Sequence, residues 1–493
     1  MTQNSTIRLN RAEYRDKVYA CWTGKNIGGT MGAPYEGVRH TLDIKGFATE
    51  ANTVLPNDDL DLQLVWLHAL EKIGPQNINA QTLGEFWLSF ISPYWHEYGI
   101  AKTNMKKGLI PPLAGDYHND WRHSNGAWIR TEIWASIAPG CPDIAAKYAI
   151  EDAKVDHGAG EGTYAAAFVA AMQSAAFVLP DLRKCIDIGL ARIPKDCRIA
   201  DSIRTVLDCY DKGIAPMEAR DIIFERNKDI GVAWFEAPSN VSYAIIGLLY
   251  GEGDFKKSMI TAINCGDDTD CTAATVGSTL GILGGTAAIP EDWRAHIGDD
   301  IVTIAIARGG VCRNLPESCT VLTDRLIVQT PYVLLSNNAH TEITEGSSFI
   351  PENLEDVLSP DKHYKRNVLD VLRPYAMQFD FNFVSVYFYF EKCPDIKPGE
   401  EIKVNVLMRN NIHAYENMYH SMSMRWWLPD GFSVDCSSQT ITLPSWNPHV
   451  DGACGFSFTI KAGDKVEPIN RCVLELTATD RMTPMYAPIT LLG

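Results

Sequence analysis

The chain has 493 residues, 46% hydrophobic and 21% charged, with a formal net charge of −17. That length exceeds what one core usually holds, so two or more domains are expected. The acidic balance argues against a nucleic-acid surface or an anionic membrane as partner, and neither a signal-like start nor a bilayer-length apolar run is present, so a cytoplasmic location is expected.

Residues 11–35 read as a helix and a turn, with Gly24, Gly28 and Gly32 at i, i+4 and i+8 forming a flat face for close helix packing. Glu36 follows directly. Next, Pro56-Asn57-Asp58-Asp59-Leu60-Asp61 stands at the start of a helix marked by Leu60, Leu64, Leu67 and Leu70; the helical pattern runs to Ile91 and breaks at Gly74-Pro75. Residues 92–128 are irregular and aromatic. Trp121 there is suited either to stacking on a base or sugar, or to a small local core with Trp128. Asn125-Gly126 makes a turn, and Arg122 and Arg130 are cations that could meet a phosphate-bearing substrate. Helices are expected at 143–155, 160–179, 183–191, 197–212 and 216–226, with His157 just before the second, and two more across 238–262.

The stretch Asn264-Cys265-Gly266-Asp267-Asp268-Thr269-Asp270-Cys271 puts three carboxylates into four residues, ahead of a small-residue helix, 275–285, with Gly277 and Gly281 at helical spacing. Packed carboxylates repel unless a cation or a helix start compensates them. Helix capping would explain either acidic cluster alone. Two of them suggest a hard-cation site built from Asp58, Asp59, Asp268 and Asp270, brought together if the two glycine faces pack on each other. A last helix is expected near 296–308.

After about residue 330 the texture changes. Residues 331–375 read as a connector. From 376 to 493 short alternating runs (Phe379, Phe381, Phe383; Ile402, Val404, Val406; Ile441, Leu443; Phe456, Phe458, Ile460; Val473, Leu474, Leu476) suggest a small all-β, immunoglobulin-like sandwich. Trp426, Trp427 and Trp446 fit core packing, or docking on the helical domain, better than carbohydrate contact. The thirteen cysteines lack disulfide or metal-finger spacing and read as reduced core residues.

Five motifs in order, Gly24–Glu36 (GKNIGGTMGAPYE), Asn57-Asp58-Asp59-Leu60, Asn125-Gly126-Ala127-Trp128-Ile129-Arg130, Asp156-His157-Gly158 and Gly266–Cys271, resemble those of the ADP-ribosylglycohydrolases over about residues 10–325. The resemblance implies an all-α catalytic domain over 1–330, binding Mg2+ or Mn2+ as two ions. It also implies water-driven cleavage of a ribosyl bond on an ADP-ribosylated protein or small molecule. By position, Glu36, Asp59 and Asp268 would be catalytic. Asn57, Asp58, Asp59, Asp268, Asp270 and Cys271 would stand at the metal-ligand places, and Asn125, Gly126 and His157, with Trp121, would line the substrate pocket. Asn57 and Cys271 depart from the threonines usual there, and a thiol is a poor Mg2+ ligand. Two other readings are a carbohydrate-cleaving hydrolase of the same fold and a non-catalytic, crystallin-like protein.

Overall fold

Glycines set how closely the two central helices approach. Helix Arg11–Gly32, capped by Asn10, lies antiparallel to helix Thr269–Gly284. A Cβ added at Gly24 would stand 2.2 Å from the Gly277 carbonyl oxygen, one at Gly28 2.3 Å from Ala273, and one at Gly32 2.3 Å from the Thr269 carbonyl. The backbones therefore touch, as the paired glycine faces suggest. Because the pair is antiparallel, the end of the first helix, and Glu36 beyond it, meets the acidic start of the second.

The computed structural model describes residues 6–493 except 232, 307–313, 362, 363, 365–367, 382, 412–419, 445, 448, 449, 480 and 482. It divides into two compact units, Met1–Gly99 with Asn119–Asp370, and Ile100–His118 with Val371–Gly493. The first is helical. Helix Asp58–Ile73 is capped by Asn57, whose Oδ1 accepts from the Asp59 N–H at 2.8 Å, and it ends at Gly74 with φ 75°. Helices Pro142–Ala153, Glu161–Ala176, Leu182–Leu190, Arg198–Asp211, Pro216–Asn227, Ala237–Gly251 and Phe255–Asn264 follow the expected pattern. The helix expected near 296–308 is displaced: it spans Glu291–Ile297 and stops at Gly298, whose φ of 72° favours glycine. Residues 298–306 are irregular, held where Asp61 Oδ2 accepts from the N–H groups of Ile304 and Ala305 at 2.6 and 2.5 Å; 307 and 308 lie outside the described residues. Helix Cys319–Ser336 continues through Pro331 into the stretch read as connector. The unit also holds one short parallel pair, Ile7–Asn10 with Thr341–Thr344, four residues each and too short to signal in sequence. Among the described residues no single helix is long and apolar enough to cross a membrane.

The second unit is antiparallel and sandwich-like. One sheet orders Met377–Asp380, Val384–Tyr389, Glu401–Asn410, Ala453–Lys461 and Ser433–Val434; the other orders Met485–Leu492, Ile469–Ala478, His420–Trp427 and Ser438–Leu443. Phe388, Val404, Val406, Met424, Leu474 and Ile489 share one core, into which Leu109 and Leu113 of the 100–118 segment also pack. Three of these strands gave no clear alternation. Val384–Tyr389 is buried nearly throughout, His420–Trp427 is rich in Ser and Met, and Met485–Leu492 contains Pro488, tolerated because that strand lies at the sheet edge. Trp426 is buried against Phe388 and Phe458, whereas Trp427 is exposed and donates to Glu475 at 2.7 Å. The Trp446 side chain lies outside the described residues.

Candidate active site

Three polypeptide turns meet where the glycine helices end: Glu36 after helix 11–32, the start of helix 58–73, and the start of helix 269–284. Carboxylate oxygens of Glu36, Asp268 and Asp270 all lie within 4.8 Å of one another, and so do those of Asp59 and Asp270 with Cys271 Sγ. Asp270 belongs to both sets. Its Oδ1 is buried and has no hydrogen-bond partner among the described residues.

Crowded, half-desolvated carboxylates hold protons tightly. Burial, then Asp270 and Asp58, push Glu36 up to about 8; burial and Asp270 push Asp58 up to about 6 despite the Tyr98 hydroxyl that donates to its Oδ2 at 2.9 Å. Burial and the neighbouring carboxylates put Asp268 well above the usual range, and burial does the same to Asp59 against the pull of Lys25. Asp267, adjacent in sequence, is turned elsewhere: it has φ 59° and pairs with Arg39 at 3.4 Å.

Asn125 is buried and donates to Asp268 Oδ2 at 2.5 Å while its own Oδ1 accepts from the Trp128 indole at 2.8 Å, so it fixes Asp268. At Gly126 an added Cβ would stand 2.3 Å from Glu97 Oε1, so the Glu97 side chain would have to shift to admit one. His157 is wholly buried, its Nδ1 2.8 Å from Asp156 and its Nε2 3.2 Å from Ser124 Oγ, and so serves the wall of the site rather than its surface. Arg130, read as a cation that could meet a phosphate-bearing substrate, is instead fully buried and bound to Asp152 and Asp156 at 2.9 and 2.8 Å. Trp121 is half-buried and stacks on Phe235 with centroids 5.0 Å apart, a pairing with a residue more than a hundred positions away that no local pattern reveals. Trp234, next to Phe235, reaches within 3.5 Å of where a Gly37 Cβ would stand, which brings the aromatic wall beside Glu36. A cavity of about 150 Å³ opens there, lined by Arg39, Trp234, Glu236, Ser239 and Asp267 among others.

Over residues 10–322 the sequence matches the family model described as ADP-ribosylglycohydrolase. The chain belongs to the ADP-ribosylglycohydrolase family. Among solved structures, the chain is similar to an ADP-ribosylglycohydrolase-related protein complex at 19% identity and a TM-score of 0.44, over 65% of this chain and 99% of that one. Shorter likenesses reach a FixG-related protein from Vibrio parahaemolyticus (11% identity, TM-score 0.18, 24% of this chain and 96% of that one) and a conjugative transposon lipoprotein from Bacteroides eggerthii (9%, 0.16, 23% and 100%). No curated protein matches the chain. Glycohydrolases of this family act on ADP-ribosyl linkages and generally bind a divalent metal.

The Glu36–Asp268–Asp270 set suits such an ion: all-oxygen donors converge, and Asp270 Oδ1, shared with the other set, has no hydrogen-bond partner among the described residues. The Asp59–Asp270–Cys271 set suits it poorly. Cys271 Sγ donates to Asp59 Oδ1 at 3.4 Å, and Lys25 Nζ stands 3.5 Å from Asp59 Oδ2. Asn57 is equally committed, its Oδ1 capping the helix. Sequence reasoning missed Lys25 and Tyr98. Lys25 has a signal in hindsight, a lone lysine within the buried run Ala20–Gly32; Tyr98 has none beyond its aromatic neighbourhood.

Proposed function

We propose that this glycohydrolase cleaves the bond at the anomeric carbon of a ribose carried by an ADP-ribosylated protein or small molecule, with Mg2+ or Mn2+ held by Asp268, Asp270 and Glu36. The observation that carries this reading is the buried, unpartnered Asp270 Oδ1 amid converging carboxylates. A bound divalent ion would supply positive charge for the ribose hydroxyls and acidify an attacking water. Asn125 and Tyr98 hold Asp268 and Asp58 in fixed rotamers, so no reorganisation is needed as the substrate arrives. The concentrated negative charge stabilises the positive charge that builds on the sugar ring in an oxocarbenium-like transition state. Glu36, exposed at the mouth of the site and raised to about 8 in the metal-free chain, gives its proton up to solvent as it takes up the ion. Trp121 and Phe235 offer a flat face to a base or sugar ring.

The test is release of ADP-ribose from ADP-ribosylated arginine and serine peptides, followed by chromatography with Mn2+, with Mg2+ and with EDTA. Metal-dependent release that Asp268→Asn abolishes, with folding kept, is expected. Full activity in EDTA or in Asp268→Asn sinks the assignment, and metal binding without any affinity for ADP-ribose turns the reading towards a carbohydrate substrate.

A further inference from the structure

Lys25 is a fully buried cation at the floor of the acidic site. It sits on the glycine-rich helix 11–32, and its Nζ donates to the Ile129 carbonyl at 2.6 Å and to Glu132 Oε1 at 3.1 Å, with Asp59 Oδ2 at 3.5 Å. An ammonium has three donors and no acceptor; two of them are spent on Ile129 and Glu132, and Asp59 is met as an ion pair rather than a hydrogen bond. Glu132 is likewise engaged on both oxygens, accepting from Gln63 at 2.9 Å and from Ser278 at 3.0 Å. The ammonium is therefore fixed in place, with Asp59 the one partner it shares with the site.

We propose that this chain binds one divalent ion rather than two, and that the Lys25 ammonium takes the electrostatic place of the second. The proposal rests on the metal-dependent reading above and concerns how many ions the site accepts. An ion on the Asp59 side would need Asp59, Cys271 and Asn57 as ligands beside Asp270. Asp59 accepts from the Cys271 thiol at Oδ1, and its Oδ2, though without a hydrogen bond, faces the Lys25 ammonium at 3.5 Å; Cys271 is a soft donor, and Asn57 Oδ1 is held by the helix it caps. A divalent ion placed on Asp59 would also face the ammonium across one fully buried carboxylate, where bulk solvent screens the repulsion little. On the Glu36 side no thiol and no ammonium stands among the carboxylates, and the one bond to them is that of Asn125 to Asp268 Oδ2. Asp59 is then a positioning residue that anchors the start of helix 58–73 to the helix carrying Lys25, and the ligands are Glu36, Asp268 and Asp270, with Asp58 alongside.

The deciding measurement is the stoichiometry of Mn2+ bound to the metal-stripped full chain, by calorimetric titration and elemental analysis, with the electron paramagnetic resonance spectrum of the loaded protein. One ion per chain with the spectrum of isolated Mn2+ is expected. Two ions with a spin-coupled spectrum overturn the proposal while leaving the metal-dependent reading intact; no binding overturns that reading and this one with it. A second experiment uses Lys25→Met combined with Glu132→Gln, which removes the buried pair together so that neither charge is left alone, and Cys271→Thr to supply a hard ligand. In the folded triple variant the stoichiometry rises from one to two; a folded triple variant that still binds one ion removes Lys25 from the account.

Discussion

Helix 58–73 opens with Asn57-Asp58-Asp59-Leu60-Asp61 and helix 269–284 with Asp267-Asp268-Thr269-Asp270, yet the two starts hold their carboxylates in opposite ways. At the first, capping and distant partners engage part of the polar set: Asn57 caps, Tyr98 donates to Asp58, the Cys271 thiol donates to Asp59 Oδ1, and Asp61 secures the backbone at 304 and 305, while Asp59 Oδ2 has the Lys25 charge 3.5 Å away but no hydrogen bond. At the second, Asp268 stands in the cap position but makes no capping bond, and Asp270 Oδ1 is left bare. The two starts therefore differ in capping, supplied by Asn57 at the first and withheld at Asp268 in the second, and the proposed ligands gather at the uncapped one.

The strongest way to break this comparison is to remove one carboxylate from each start. Asp270→Asn should lower hydrolysis on the order of 10²–10³-fold or more, and in the metal-stripped protein it should raise the melting temperature, because a repelling charge is gone. Asp61→Ala should do the reverse: metal affinity stays, while stability falls by about 1–3 kcal/mol as the buried Ala305 N–H loses its acceptor. Parallel assays of Mn2+ affinity and thermal unfolding separate the two; equal losses of affinity in both variants would make the starts equivalent.

Gly24→Ala or Gly277→Ala tests what brings the starts together. Each added methyl would meet the opposite backbone at 2.2 Å, so the helices must part, at a cost of about 1–3 kcal/mol or more. Glu36 would move away from Asp270 at the same time. Thermal unfolding and hydrolysis should therefore fall together, and an alanine variant with unchanged activity would show that the close approach does not set the site.

The halves of the site were legible to different degrees, for physical reasons. The glycine spacing and both acidic clusters are local patterns, so the helix pair and Asp58, Asp59, Asp268 and Asp270 could be read as one place from the order of amino acids alone. Burial and pairing are not local. Asp61 and Asp59 look alike two residues apart, and only the distant partners Ala305 and Lys25 distinguish their duties. Arg130 reads as a cation that could meet a substrate until Asp152 and Asp156 enclose it. In the β unit, strands that are buried throughout or carry an edge proline lose the alternation by which strands are recognised, which is why Val384–Tyr389 and Met485–Leu492 stayed hidden while Glu401–Asn410 did not.

The smallest expected effect sharpens the comparison most. Asp58 at the first start is raised from 3.8 to about 6 and Glu36 beside the second from 4.5 to about 8. Both are carboxyls that the folded chain prefers protonated, so the unfolded chain releases the proton first as pH rises. Stability of the metal-stripped protein is then greatest below the unfolded pKa values and declines upward, through about pH 4–6 for Asp58 and on to about pH 8 for Glu36. Asp58→Asn should remove the lower part of that decline in melting temperature and Glu36→Gln the upper part, by a few degrees each, since Glu36 is exposed and solvent screens it. A divalent ion binds the ionised forms and should turn the same slope upward. If Mn2+ leaves the slope unchanged in wild type, the carboxylates at the second start are not its ligands, and the difference between the two starts must have another cause.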